Sequence, residues 1–301
     1  MVKMEFKRVD IKTGYLCNNN CLFCVQAHNK DYANKNFDEI LKSLDSAKEN
    51  GCTGVVFTGG EFTIRSDAIK LVQIARQKGF TEIQIQSNGR MFSDFEFCKK
   101  LVSAGVTEFS PALHGHTAEI HDYLTRTPDA FKNTVQGIRN IKRLGQYIVM
   151  NSVLLKPNYR YAPHLSKFLS ELKVDQFQYA FVHAMGNSKE NFEEMVPYKT
   201  LAIPYVKRGI DIAVKNNVKV MVEAVPFCLL VGYEKYVTEL YIPPTRIEER
   251  NRVIEDFKKS KEFSKKKFSQ CKLCRYDDIC EGPWREYPEK FGDSEFIPVP
   301  K

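Results

Sequence analysis

The 301-residue sequence has a single tryptophan and no apolar run near the roughly 20 residues of a membrane-spanning helix. Its longest apolar stretch, around Ala224–Val231, is interrupted by Pro226 and Cys228. The first eight residues, Met1 to Arg8, carry no apolar core of the kind a signal peptide needs, so the expected location is cytoplasmic and no membrane partner is indicated. Internal repeats and low-complexity tracts are missing. With 43% hydrophobic and 27% charged residues, the composition excludes a disordered, collagen-like or disulfide-stapled chain. Six lysines lie between Lys258 and Lys267, but few aromatics are interleaved with them. That run reads as a solvated helix face, and a nucleic-acid partner is not expected. The net charge of +8 suits an acidic substrate or simple solubility.

What is present is a regular alternation. Strand-type runs are expected at Val9–Leu16, Gly54–Thr58, Glu82–Ser87, Thr107–Ala112, Tyr147–Leu155, Gln176–Phe181 and Val218–Glu223. Amphipathic helices are expected between them at Phe37–Asn50, Ser66–Lys78, Asp94–Ala104, Ala130–Leu144, Tyr161–Leu172 and Leu201–Asn216. Gly51, Gly79, Gly105 and Gly145 stand where four of these helices should stop. Strands alternating with helices imply a parallel sheet with right-handed crossovers. Six or seven units fall short of a closed eight-fold barrel, so the expected fold is α/β, a partial (β/α)6 TIM-like barrel over residues 1–223. Chemistry should gather at the carboxyl ends of its strands. After residue 224 the alternation stops, and residues 224–301 read as a small appendage with a charged helical stretch from Thr245 to Phe268.

Nine cysteines in a reducing compartment point to metal or catalysis before disulfides. Cys17, Cys21 and Cys24 fall just past strand one. Three thiolates on a short loop can hold three irons of a 4Fe–4S cluster and leave the fourth open, whereas structural zinc prefers four protein ligands. Thr58-Gly59-Gly60-Glu61 ends strand two, where the glycines permit close backbone approach and the glutamate can accept hydrogen bonds from an ammonium group. Cys52 and Cys98 sit at a helix end and inside a helix, as buried thiols do.

Cys17-x3-Cys21-x2-Cys24, with aromatic Phe23 before the last cysteine, together with Gly59-Gly60-Glu61, resembles the signature of the radical S-adenosylmethionine (SAM) superfamily. The resemblance covers about residues 9–223. It implies that Cys17, Cys21 and Cys24 ligate a 4Fe–4S cluster, with Phe23 beside the cofactor. The open iron of that cluster binds SAM, whose reductive cleavage yields a 5′-deoxyadenosyl radical. Gly59, Gly60 and Glu61 would hold the methionine end. Ser87 and Asn88 match the ribose-contacting position, Arg126 an arginine that pairs with the SAM carboxylate, and Val153 and Leu155 the flank of the adenine. Phe62 stands where the family usually has proline, and Ala112 where relatives carry serine.

Cys271-x2-Cys274-x5-Cys280 is similar to the start of the cysteine pattern in the SPASM extension of that superfamily. Trp284 occupies the next family cysteine position, which implies the shorter twitch form with one auxiliary 4Fe–4S cluster. Cys228, where the last barrel strand exits, is the candidate fourth ligand, and residues 229–270 are long enough to form a helical hairpin and return. His114, Lys156 and His183, near the carboxyl ends of strands four to six, are the candidate catalytic groups. The expected function is peptide modification such as crosslink formation, with a ferredoxin or flavodoxin as reductant. A small-molecule enzyme resembling the molybdenum-cofactor cyclase is the alternative. A non-enzymatic iron–sulfur carrier or zinc-stabilised binding module is a third reading, against which the Gly-Gly-Glu loop argues.

Overall fold

The computed structural model describes residues 7–250 and 252–301. Residues 1–6, most of the segment read above for a signal peptide, lie outside the described residues. The strands are β1 (Arg8–Lys12), β2 (Gly54–Thr58), β3 (Glu82–Ser87), β4 (Glu108–Pro111), β5 (Tyr147–Leu154), β6 (Gln176–Phe181), β7 (Lys219–Glu223), β8 (Thr245–Glu248) and β9 (Val253–Ile254). The helices are α1 (Phe37–Glu49), α2 (Ala68–Gln77), α3 (Phe95–Ala104), α4 (Ala118–Thr125), α5 (Ala130–Arg143), α6 (Ala162–Glu171), α7 (Asn187–Glu190), α8 (Phe192–Met195), α9 (Lys199–Lys215), α10 (Phe257–Ser264) and α11 (Glu286–Phe291).

All strands but β9 run parallel, in the order β7-β6-β5-β4-β3-β2-β1-β8-β9, and the sheet does not close. The expected α/β partial barrel is therefore the observed one. Helix starts follow local chemistry. Asn36 caps α1 by accepting from the Glu39 N–H at 2.9 Å, while the Glu39 carboxylate accepts from the Asn36 N–H, closing a capping box. Asp94 caps α3 without a reciprocal partner, accepting from the Glu96 and Phe97 N–H groups at 2.9 and 3.1 Å.

Along β1, Val9 and Ile11 are fully buried in the main apolar cluster, while Arg8 and Asp10 line the barrel interior. That interior is unusual in being polar. Gln84 and Gln86 of β3, Asn151 of β5 and Gln178 of β6 line it, where closed barrels carry branched apolar side chains. They surround a cavity of about 800 Å³.

The C-terminal part departs from expectation. In place of a helix beginning at Thr245, β8 pairs in parallel with β1, Arg8 opposite Thr245 and Asp10 opposite Ile247. Among the described residues from Thr245 to Phe268, only Phe257–Ser264 is helical. The free edge of β1 demands a partner, and the Thr245-Arg246-Ile247-Glu248 run supplies one. Its charge disguises the strand: Arg246 is buried against Glu248, with Nε to Oε1 at 3.1 Å, and also reaches Glu255. Among the described residues no helical hairpin forms, and part of the expected appendage extends the barrel sheet. Nor is the lysine run wholly solvated. The Lys265 side chain is 2% exposed, with its ammonium 2.6 Å from both Glu239 and Glu281. Among the described residues no helix is long and apolar enough to cross a membrane.

Candidate active site

The cysteine loop between β1 and α1 is gripped from four sides at the carboxyl end of the sheet. From β2, the N–H groups of Gly60 and Glu61 donate to the carbonyls of Gly14 and Leu16, both at 2.7 Å. The two loops touch so closely that a Cβ on Gly59 would lie 2.3 Å from the Gly14 oxygen, and one on Gly60 2.2 Å from that of Leu16. Gly59 also takes a left-handed conformation, φ +122°. The glycine pair thus serves the approach of one main chain to another while still lining the cavity.

From β3, Asn88 donates through Nδ2 to Asn18 Oδ1 at 2.5 Å and lies 3.7 Å from Cys17 Sγ. Arg90, which sequence reasoning missed, donates to the Asn18 carbonyl and to Asn19 Oδ1. From α4, the carbonyls of Leu124 and Thr125 accept from the Leu22 and Asn20 N–H groups at 2.9 and 3.0 Å. From the turn after β6, the Asn187 N–H donates to the Cys24 carbonyl and its Nδ2 to that of Cys21, and Asn191 reaches the Leu22 carbonyl. Asn187 follows Gly186 in a turn, but a partner 166 positions away leaves no trace in sequence.

Cys17, Cys21 and Cys24 all line the large cavity, together with Phe23, Ser87 and Asn88. Val153 joins them from β5. Four other expected site residues do not line it. Glu61 is 3% exposed, and its carboxylate accepts from the Thr63 N–H at 3.0 Å, the Thr63 hydroxyl at 2.5 Å and the Asn88 N–H at 2.6 Å. It ties the exits of β2 and β3 together, and burial raises its pKa against the pull of those donors. Leu155 is fully buried in the main apolar cluster, because the chain turns at the end of β5. Lys156 is exposed and bonded to the Glu193 carbonyl at 2.8 Å, drawn off by α8. Arg126 is the exposed left-handed cap of α4, at the rim beside Asn20.

Among the candidate catalytic groups, His114 and His183 do line the cavity. His114 is buried edge-on to Phe23, ring centroids 4.7 Å apart, and its Nδ1 accepts from the Val153 N–H at 3.2 Å. Its own N–H donates to His121 Nδ1 at 3.0 Å. Burial, reinforced by the facing imidazole of His121, holds His114 well below its usual pKa, and burial pushes His121 down to about 4. Both rings are neutral at physiological pH. His183 stacks on Trp284 at 4.0 Å and 7°, with Nε2 3.2 Å from Glu286 Oε2, so it joins the barrel mouth to the C-terminal segment.

Cys228, Cys271, Cys274 and Cys280 line one small cavity of about 20 Å³, walled by Pro226, Phe268 and Phe296. Main-chain N–H groups point at the sulfurs: Phe268 to Cys271 and Val299 to Cys274, both at 3.4 Å. Three thiols on the first loop and four around the second cavity are the donor chemistry of 4Fe–4S clusters, and four thiols also suit structural zinc.

An unclosed parallel barrel with a three-cysteine loop at its carboxyl edge defines a class of iron–sulfur enzymes. Residues 11–169 match the model of the radical SAM superfamily, and the chain belongs to that family. Family membership implies a 4Fe–4S cluster and SAM as cofactors, and makes the protein an enzyme. Among curated proteins, a probable GTP 3′,8-cyclase of Saccharolobus islandicus is 28% identical over 186 residues, 61% of this chain and 59% of its own length. One from Sulfurisphaera tokodaii is 26% identical over 181 residues, 60% and 57% of the two chains. The chain thus spans under two thirds of these relatives. Among solved structures, Streptococcus suis SuiB bound to its precursor peptide SuiA superposes with a TM-score of 0.71, covering 98% of this chain and 76% of that one at 17% identity.

Proposed function

We propose that this radical SAM enzyme modifies a peptide, with Cys17, Cys21 and Cys24 holding the SAM-binding cluster and a closed auxiliary 4Fe–4S cluster on Cys228, Cys271, Cys274 and Cys280. When bound, the first cluster and SAM supply the 5′-deoxyadenosyl radical that abstracts hydrogen from the substrate. The chain's own residues hold the loop, orient the substrate and keep the barrel chemistry apart from solvent. Residues 1–223 then supply most of the barrel and 224–301 a twitch-like part that also lends β8 to the sheet. A ferredoxin or flavodoxin is the proposed electron donor.

The observation that carries the peptide reading is the charge of the cavity. Its strand walls present Asp10, Glu108 and Glu223 against the single guanidinium of Arg8, among several amide side chains. A nucleoside triphosphate, with about four negative charges, meets repulsion there, whereas a peptide finds donors and acceptors at each level. The likeness to GTP cyclases favours the small-molecule reading, and GTP is the probe that separates the two. Anaerobically reconstituted protein with SAM and dithionite should form 5′-deoxyadenosine at the same slow rate with and without GTP. A GTP-dependent burst of 5′-deoxyadenosine would sink the peptide reading.

A further inference from the structure

Among the described residues, one carboxylate of the polar barrel interior accepts no hydrogen bond. Asp10 projects from the middle of β1 into the cavity, and neither of its carboxylate oxygens accepts a hydrogen bond from a described residue. Oδ1 is fully buried. Burial pushes its pKa up to about 6 against the opposing pull of Lys12 and Arg8, with Glu249 adding to the rise. Lys12 is engaged elsewhere, paired with Glu249. Arg8 lines the same cavity with its Nε buried and unpartnered among the described residues, and its charge acts on Asp10 and on Glu108 without an ion pair to either. Across the cavity Glu223 adds a further negative charge, accepting from Gln178 Nε2 at 3.0 Å. A half-buried carboxylate with one fully buried oxygen and no donor is costly, and an incoming ammonium or guanidinium would convert that cost into a charge-assisted pair.

We propose that Asp10 anchors a cationic side chain of the substrate, a lysine or arginine reaching down into the barrel. The proposal rests on the peptide reading above and names the side-chain class that the cavity selects. The sulfonium cofactor is not the cation concerned. Asp10 lies two residues below the end of β1, about 6.6 Å down the strand, and Cys17 is five residues beyond that end. The cation therefore sits under the level at which the cysteine loop and the Gly59–Gly60 turn meet.

The test measures binding of N-acetyl-lysine methylamide, N-acetyl-arginine methylamide and uncharged N-acetyl-norleucine methylamide to the reconstituted full chain with SAM. Saturation-transfer NMR reads wild type, Asp10→Asn and, as a second variant, Asp10→Ser. Wild type should bind a cationic amide at least tenfold more tightly than the norleucine compound. Both variants should lose that preference while keeping the wild-type circular dichroism and iron content. Equal binding of charged and uncharged amides, a preference that survives in the variants, or no cationic amide bound at millimolar concentration overturns the anchor. The peptide reading itself fails on a different signal, GTP-dependent 5′-deoxyadenosine formation.

Discussion

At the scale of single residues, the loop contacts set sharp expectations. Gly60→Ala would place a methyl group against the Leu16 carbonyl, a main-chain atom that cannot swing aside. The cysteine loop must then shift, and the variant should lose about 1–3 kcal/mol of stability and most of its iron. Urea denaturation and iron analysis check this, and unchanged iron content would show that the two loops move independently. Glu61 teaches a different lesson. Its three protein donors mean that Glu61→Gln should cost about 1.5–3 kcal/mol in folding, because an amide NH2 cannot accept from all of them. Thermal unfolding of the apoprotein should register that loss before any SAM is added. A variant that melts like wild type but binds SAM poorly would return Glu61 to the cofactor.

At the scale of elements, the C-terminal segment is held to the barrel by polar contacts as well as apolar ones. Lys265 bridges Glu239 and Glu281 and lies over the Trp284 ring, 5.0 Å from its centroid. Lys265→Met removes the shared cation from two carboxylates in a poorly hydrated site and should destabilise by about 3–5 kcal/mol. Lys199, fully buried, adds a second tie: its ammonium donates to the Ala224 carbonyl at 2.9 Å and lies 3.2 Å above the Phe181 ring. The same segment carries the second cysteine set. Reconstituted protein should hold about eight irons per chain, and Cys228→Ala about four, with SAM cleavage by the first cluster retained. Eight irons in Cys228→Ala would exclude Cys228 as a required ligand.

At the scale of the whole molecule, the polar interior gives the fold a characteristic pH response. Asp10 binds its proton more tightly folded than unfolded, its pKa rising from 3.8 to about 6. Between those values the unfolded chain has lost a proton that the folded chain keeps, so stability falls as pH rises through the window and the full cost is present above it. At 1.36 kcal/mol per pKa unit the cost is about 3 kcal/mol. Glu61 and Glu108, also raised by burial, act in the same direction. His114 and His121, held below their usual values, act in the opposite direction over the same window, so the contribution of Asp10 is read as a difference: Asp10→Asn should gain melting temperature relative to wild type progressively from about pH 4 to about pH 6 and keep that gain near neutrality. A profile identical in wild type and Asp10→Asn would show that Asp10 is solvated.

The sequence by itself determined the repeating strand and helix order, the cysteine loop, the family and the carboxyl-end position of the site. Those follow from local periodicity, helix-stopping glycines and motif spacing, all of which act within a few residues. Tertiary structure decided what depends on distant partners. Thr245–Glu248 became a strand because β1 offered a free edge more than 230 positions away in sequence, which a charged local pattern cannot announce. Glu61 turned inward because Thr63 and Asn88 saturate it. Leu155 and Lys156 left the cavity because β5 ends at Leu154, just before them, and the Glu193 carbonyl holds the Lys156 ammonium. Asp10, an ordinary alternation residue on paper, became a half-buried carboxylate without a hydrogen-bond donor only when eight parallel strands surrounded it, since the energy of a charge depends on what surrounds it.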